Sequence, residues 1–187
     1  MSQKAYLQNH FLIAMPQLED PSFQQSVVYL CEHNENGAVG LIINRPMTAT
    51  VGDILSDMNL SFEDHELMHH AILFGGPAHT ERGFVLHETP GPWRSMLYVN
   101  EGIFVTTSRD ILEAAAKQQG PEKLVVALGC AAWTAGQLEQ EILANFWLSL
   151  PADKSLIFNL PYDKRYEQAL ARLGVNLTNL SAEVGHG

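Results

Sequence analysis

The chain has 187 residues, 46% of them hydrophobic and 17% charged, enough for one domain that buries roughly 70% of the surface its unfolded form exposes. A formal net charge of −10, with no basic cluster beyond Lys164-Arg165, excludes a surface built for phosphate backbones, so direct nucleic-acid binding is not expected. Two cysteines exclude a disulfide framework, and with no run long enough for a membrane span and no signal-peptide core before Pro16, the expected location is the cytoplasm.

Residues 10–15 (HFLIAM) read as a strand stopped by Pro16. Residues 26–33 and 38–44 follow as a hairpin around Asn34-Glu35-Asn36-Gly37, and Arg45, placed before Pro46, is expected to be extended. Strands are predicted at 71–74, 83–88, 95–99 and 102–107, the last pair joined by a turn at Asn100-Glu101-Gly102. Ser108 is expected to cap a helix over 109–119, with Asp110 in its first turn and Gly120-Pro121 as its stop. KLVVALG (123–129) is apolar almost throughout and predicts a central strand. Thr134 with Gln137 makes a capping box for a helix whose Leu138, Ile142 and Phe146 share one face. A strand at 155–158 and a helix from about Tyr162 to Leu173, closed by Gly174, complete the body. From about 175 the chain reads as a loosely held polar tail of one domain spanning 1–187.

His65-Glu66-Leu67-Met68-His69 matches the H-E-x-x-H pattern, in which a helix presents two histidines one turn apart to Zn²⁺ and the glutamate acts as base. Here the context fails. Glu63 and Asp64 crowd the front of the motif, the 71–74 strand follows at once, and His79, His87 or Glu88 would each have to supply a third ligand from a separate strand or turn. Ser61, Asp64 and Glu66 instead fit the capped start of a short solvated turn, so neither a metal site nor a cofactor is assigned. Cys130 follows an apolar strand, but Leu128 and Ala132 stand where a nucleophile elbow needs glycines, which favours a buried structural thiol.

A third pattern is more diffuse. Polar residues and glycines collect where predicted strands end, at Glu32, His33, Asn44, Arg45, Gly75, Gly76, His87, Thr106, Thr107, Ser108, Arg109 and Gly129. Ligands bind at such ends because backbone N–H groups and helix N-termini lie there, so these residues other than Glu32 and Gly129 form the candidate ligand pocket, with Thr107-Ser108 as an anion site. Ordinary turns and caps use the same residue types.

With those stretches in view the chain resembles the AlgH/YqgE family. The resemblance runs through HFLIAMP, DPSFQQSVVYLCEHNENGAVGLIINRP, GGP with RGFVLH, TTSRD, ALGCAAWTAGQLEQEILANFW, PAD and the closing GHG. It implies an α+β fold, a mixed and largely antiparallel bifurcated sheet with a small partly closed barrel, surrounded by helices. It also implies a bacterial cytosolic protein without an assigned activity, under a loose label of transcriptional regulator. Members often carry tyrosine where Cys130 stands and lack the HELMHH segment, so neither feature gains support from the family.

Two functions fit these readings. One is a non-enzymatic regulatory protein that binds a small anionic ligand or a protein partner and acts on transcription indirectly. The other is a small hydrolase or phosphate-handling enzyme with His33 or His87 as acid/base and Ser108 or a water as nucleophile, which requires those side chains to converge.

Overall fold

The computed structural model describes residues 5–174. Its strands are β1 (His10–Ala14), β2 (Val27–Asn34), β3 (Gly37–Ile42), β4 (Pro46–Thr50), β5 (Ala71–Phe74), β6 (Ala78–His87), β7 (Met96–Asn100), β8 (Ile103–Thr106), β9 (Leu124–Thr134) and β10 (Trp147–Pro151). The helices are α1 (Val51–Asp57), α2 (Asp110–Ala116), α3 (Gln137–Leu143), α4 (Lys154–Phe158) and α5 (Arg165–Arg172). Hydrogen bonding runs in the order β10-β1-β2-β3-β9-β6-β8-β7, with β4 and β5 as a side branch, and the mostly antiparallel sheet curls into a half-barrel. Among the described residues no helix is long and apolar enough to cross a membrane. The polar tail expected from about 175 lies outside them.

The apolar runs occupy the places their composition demands. HFLIA is flanked on both sides, by β10 and β2, and four of its five residues are buried. β9 is the hub. β6 lies along one side of it, while the other side is shared by β5, paired in parallel at Leu73↔Ala127, and by β3, paired antiparallel at Ala38↔Trp133. This sharing is the bifurcation. At the fork the Gly75 N–H donates to the Leu128 carbonyl, and the Gly75 carbonyl accepts from Ile42 N–H. The strands can meet so closely because glycines stand there: a Cβ on Gly75 would lie 2.2 Å from the Gly129 carbonyl oxygen, and one on Gly129 would lie 2.3 Å from that of Gly76.

Gly129 also changes which face of β9 is which. Before it, Leu124 and Val126 point outward beneath α1 and α2, while Val125 and Ala127 point into the concave face. Its φ of +77° breaks the alternation, so that Cys130 points inward while Ala131 and Trp133 point outward beneath α3. β2 has its own bulge between Leu30 and Glu32, beside Cys31. Part of the concave face is covered by α4 and α5 through Leu156, Ile157, Ala169 and Leu170. Arg165 of α5 is buried there without a carboxylate partner among the described residues. It donates to the carbonyls of Ile43 (2.5 Å), Ile157 (2.5 Å) and Leu160 (3.2 Å) and lies over the Tyr162 ring, and burial lowers its pKa to about 10.

Several sequence expectations change. Residues 154–158 are helical, not a strand, because Asp153 accepts from Leu156 N–H as an N-cap; a short apolar run does not reveal its own period. The strand lies just before, at 147–151, since α3 ends at Leu143 and Asn145 takes a φ of +64°. The expected Thr134–Gln137 box is half formed. Gln137 Oε1 accepts from Thr134 N–H, but the cap position is Gly136 and no side chain closes it. Ser108 does not cap α2 either, because Arg109 holds the cap position without a side-chain cap bond. A complete capping box sits at Thr50 and Asp53, opening α1, where no helix was predicted.

Candidate functional site

The polar strand-end residues are placed apart, and most are bound within the fold. His33 is buried, and its Nδ1 accepts the Leu7 N–H at 2.9 Å, so the ring proton sits on Nε2 and is donated to Glu139 at 2.7 Å. Asn44 and Arg45 clamp the loop before β2: Asn44 accepts from Val27 N–H and donates to the Gln25 carbonyl, while Arg45 donates to the carbonyls of Ser22 and Gln24. Gly75 and Gly76 make the fork. Ser108 accepts from Ser95 N–H and donates to Asp110, whose other oxygen accepts from Arg94 N–H at 2.9 Å. Burial pushes the Asp110 carboxyl up, but these bonds outweigh it and hold the group below the usual range. A carboxylate of the chain itself thus takes up the donors around Ser108. Arg109 pairs with Glu113 and donates to the Met58 carbonyl.

His87 is fully buried. Its Nδ1 lies 2.8 Å from the Thr89 carbonyl and must donate, so Nε2 accepts the Thr106 hydroxyl proton at 2.8 Å. Burial lowers the imidazole pKa, partly offset by the Thr89 bond. The unfolded chain takes up a proton near pH 6.5 and the folded one does not. Between the folded and unfolded pKa values the unfolded state therefore binds more protons, and stability, full above about pH 6.5, falls as the pH drops below it. His87→Gln is expected to flatten that acid limb. Urea midpoints at pH 7.5, 6.5, 5.5 and 5.0 read the slope; an identical slope in both proteins contradicts the assignment.

The H-E-x-x-H match forms a 3₁₀ turn over Glu66–His69. Its tighter winding eclipses residues three apart, so His65 and His69 do not share a face as they would in an α-helix. His65 holds the cap position with no side-chain cap bond, in place of the expected Ser61 or Asp64, and His69 is turned to Asp64 at 2.6 Å. No group of three or more His, Cys, Asp or Glu side chains among the described residues could hold a metal ion.

A cavity of about 340 Å³ opens where α4 and α5 leave the concave face uncovered. Val39, Leu41, Phe84, Leu97 and Val105 line its apolar wall, and both cysteines reach it. Three chain irregularities border it: the β2 bulge that turns in Glu32, the Gly129 kink that turns in Cys130 and Ala132, and the break in β6 pairing between Ala78 and Gly83, which carries His79 (φ +48°) and Arg82. Bulges concentrate at functional sites because they re-aim side chains. Burial pushes both thiols up; the neighbouring Glu32 charge pushes Cys31 further, and the Arg82 charge partly offsets the rise at Cys130. Both are therefore protonated at neutral pH. Among the described residues Arg82 makes no ion pair or hydrogen bond, and its guanidinium lies 5.7 Å from the Phe84 ring centroid. Of the strand-end residues singled out from the sequence, Glu32 and Thr107 line this cavity. Arg45 lines a separate cavity of about 500 Å³ with Gln24, Gln25 and Tyr166. Arg82 was not among the candidates and His79 entered only as a possible zinc ligand, since neither a break in strand pairing nor a left-handed histidine leaves a pattern in a single sequence.

A family model described as AlgH-like matches residues 11–178. A UPF0301 protein of Thioalkalivibrio sulfidiphilus is 51% identical over 186 residues, covering 100% of both chains. One of Chromobacterium violaceum is 48% identical over 180 residues, covering 96% of this chain and 97% of its own. Among solved structures, the solution structure of the AlgH protein from Pseudomonas aeruginosa matches with a TM-score of 0.80 and 46% identity over 97% of each chain. A crystal structure of a Corynebacterium diphtheriae protein matches with a TM-score of 0.71 at 19% identity, covering 92% of this chain and 90% of its own, a likeness of fold alone.

Proposed function

This chain belongs to the AlgH-like family, and we propose that it is a non-enzymatic cytosolic binding protein whose site is the open cavity of the half-barrel. The observation that carries the reading is the convergence of three chain irregularities on one apolar-walled cavity beside a guanidinium without an acidic partner among the described residues. The alternative, hydrolysis or phosphate chemistry, loses its main residues: the ring nitrogens of His33 and His87 and the Ser108 hydroxyl are each engaged by internal partners. With a net charge of −10, any effect on transcription runs through the bound ligand or a partner protein and not through DNA.

The test is a ¹H–¹⁵N titration of the labelled protein with a metabolite collection, repeated on Leu97→Arg, which places a bulky charge at the exposed rim of the cavity. Expected are saturable shifts at residues 39–41, 84 and 105, lost in the variant while the remaining spectrum is kept. Shifts that map elsewhere, or turnover of simple esters or phosphate esters by the protein, would sink the reading.

A further inference from the structure

We propose that the half-barrel cavity binds a monoanionic amphipath: an apolar chain of about ten non-hydrogen atoms ending in a carboxylate. The inference rests on the reading of the cavity as a binding site and names the class of its ligand. Three properties of the wall select it.

The first is size. About 340 Å³ holds roughly eleven water-sized groups at ~30 Å³ each, at the lower end of small-molecule sites. The second is the apolar wall. Leu41, Val105 and Phe84 are buried residues of that wall, and Leu97, 38% exposed on the edge strand β7, stands where a ligand chain would cover it. Both thiols are protonated, so they carry no charge that would repel hydrocarbon.

The third is the arrangement of charge. Arg82 is a fork donor held over the Phe84 ring, and its guanidinium matches a carboxylate bidentately. Ser95, Thr107 and His79 line the same cavity and add further polar groups. Glu32 sets the limit. It lines the cavity from β2, separated from β6 by β3 and β9, and its carboxylate opposes a second negative charge. One cationic and one anionic side chain in an otherwise apolar-walled cavity suit a ligand with a single negative charge at one end.

Four probes share an eight-carbon chain and differ only at the head: octanoate, octyl phosphate, octanol and octylamine. Each is titrated by calorimetry and by ¹H–¹⁵N spectra into the whole protein and into Arg82→Gln and Glu32→Gln, both exposed positions whose replacement leaves the core intact. Octanoate is expected to bind tightest, with shifts at the cavity residues. Arg82→Gln is expected to weaken octanoate about tenfold and leave octanol unchanged. Glu32→Gln is expected to improve octyl phosphate more than octanoate. Octanol or octylamine binding as tightly as octanoate, or an unchanged octanoate affinity in Arg82→Gln, overturns the ligand class while leaving the cavity as a site. Octyl phosphate binding more tightly than octanoate to the unaltered protein overturns the single-charge argument. If none of the four probes shifts the cavity residues while the metabolite titration does, the ligand class is wrong and the site stands; if neither does, both readings fall together.

Discussion

Gly129→Ala is expected to lower the stability of the fold by about 3 kcal/mol or more. A left-handed alanine costs roughly 1–2 kcal/mol, and forcing a methyl group into a packed backbone crossing adds about 1–3 kcal/mol. The added Cβ would stand 2.3 Å from the Gly76 carbonyl oxygen, and neither strand can yield without breaking the fork pairing at Gly75. Gly136 provides the control. It has the same φ of +77°, yet a Cβ there would meet nothing within 4 Å. Gly136→Ala should therefore show the conformational part alone, about 1–2 kcal/mol. Urea denaturation of the three proteins measures both values; equal losses for the two variants would mean that the crossing has room.

A second large loss is expected at Arg165. Truncation to alanine leaves the carbonyls of Ile43, Ile157 and Leu160 without their donor and opens a cavity under Tyr162, for a combined cost of about 3–5 kcal/mol. Arg165→Lys should recover little of it, because one ammonium cannot reproduce a planar fork aimed at three carbonyls on two chain segments. Arg165→Met keeps most of the volume and removes the buried charge, so it should fall between the unaltered protein and alanine. Denaturation midpoints rank the three variants. A lysine variant as stable as the original would show that the charge matters and the fork does not.

The fold was legible in the sequence wherever burial alone dictates structure. HFLIA, VVYLCEH and LVVAL are apolar because they lie inside the sheet, and each was predicted as a strand. The failures came where two local signals competed. SLIF has the composition of a strand, but Asp153 directly upstream closes a helical cap, and that geometry is decided by two residues rather than by the run. Gly129 read as a strand end because glycine stops many strands; here its left-handed conformation keeps the strand going and reverses its faces. The Thr50-to-Asp53 spacing was a visible helix signal that went unread.

The candidate site was less legible for a related reason. Asn44, Arg45, Gly75 and Gly76 stand at strand ends as predicted, yet their chemistry is spent on carbonyls and close backbone contacts that only the folded chain brings near. Glu32 and Arg82 meet at one cavity through pairing irregularities on different strands, and no spacing along the chain encodes that meeting.

The position of β9 bears on how the protein emerges from the ribosome. The strands on either side of the fork, β3 and β5, are synthesised well before residue 124, and β1 precedes its partner β10 by most of the chain. At roughly 5–20 residues per second, their open edges stay unpaired for several seconds before the hub strand clears the exit tunnel. Vectorial synthesis therefore leaves an apolar hairpin, β2 with β3, waiting for a strand that does not yet exist. Nascent chains stalled while β9 is still inside the tunnel should accordingly depend on holding chaperones, whereas chains in which β9 and β10 have both emerged can close the sheet unaided.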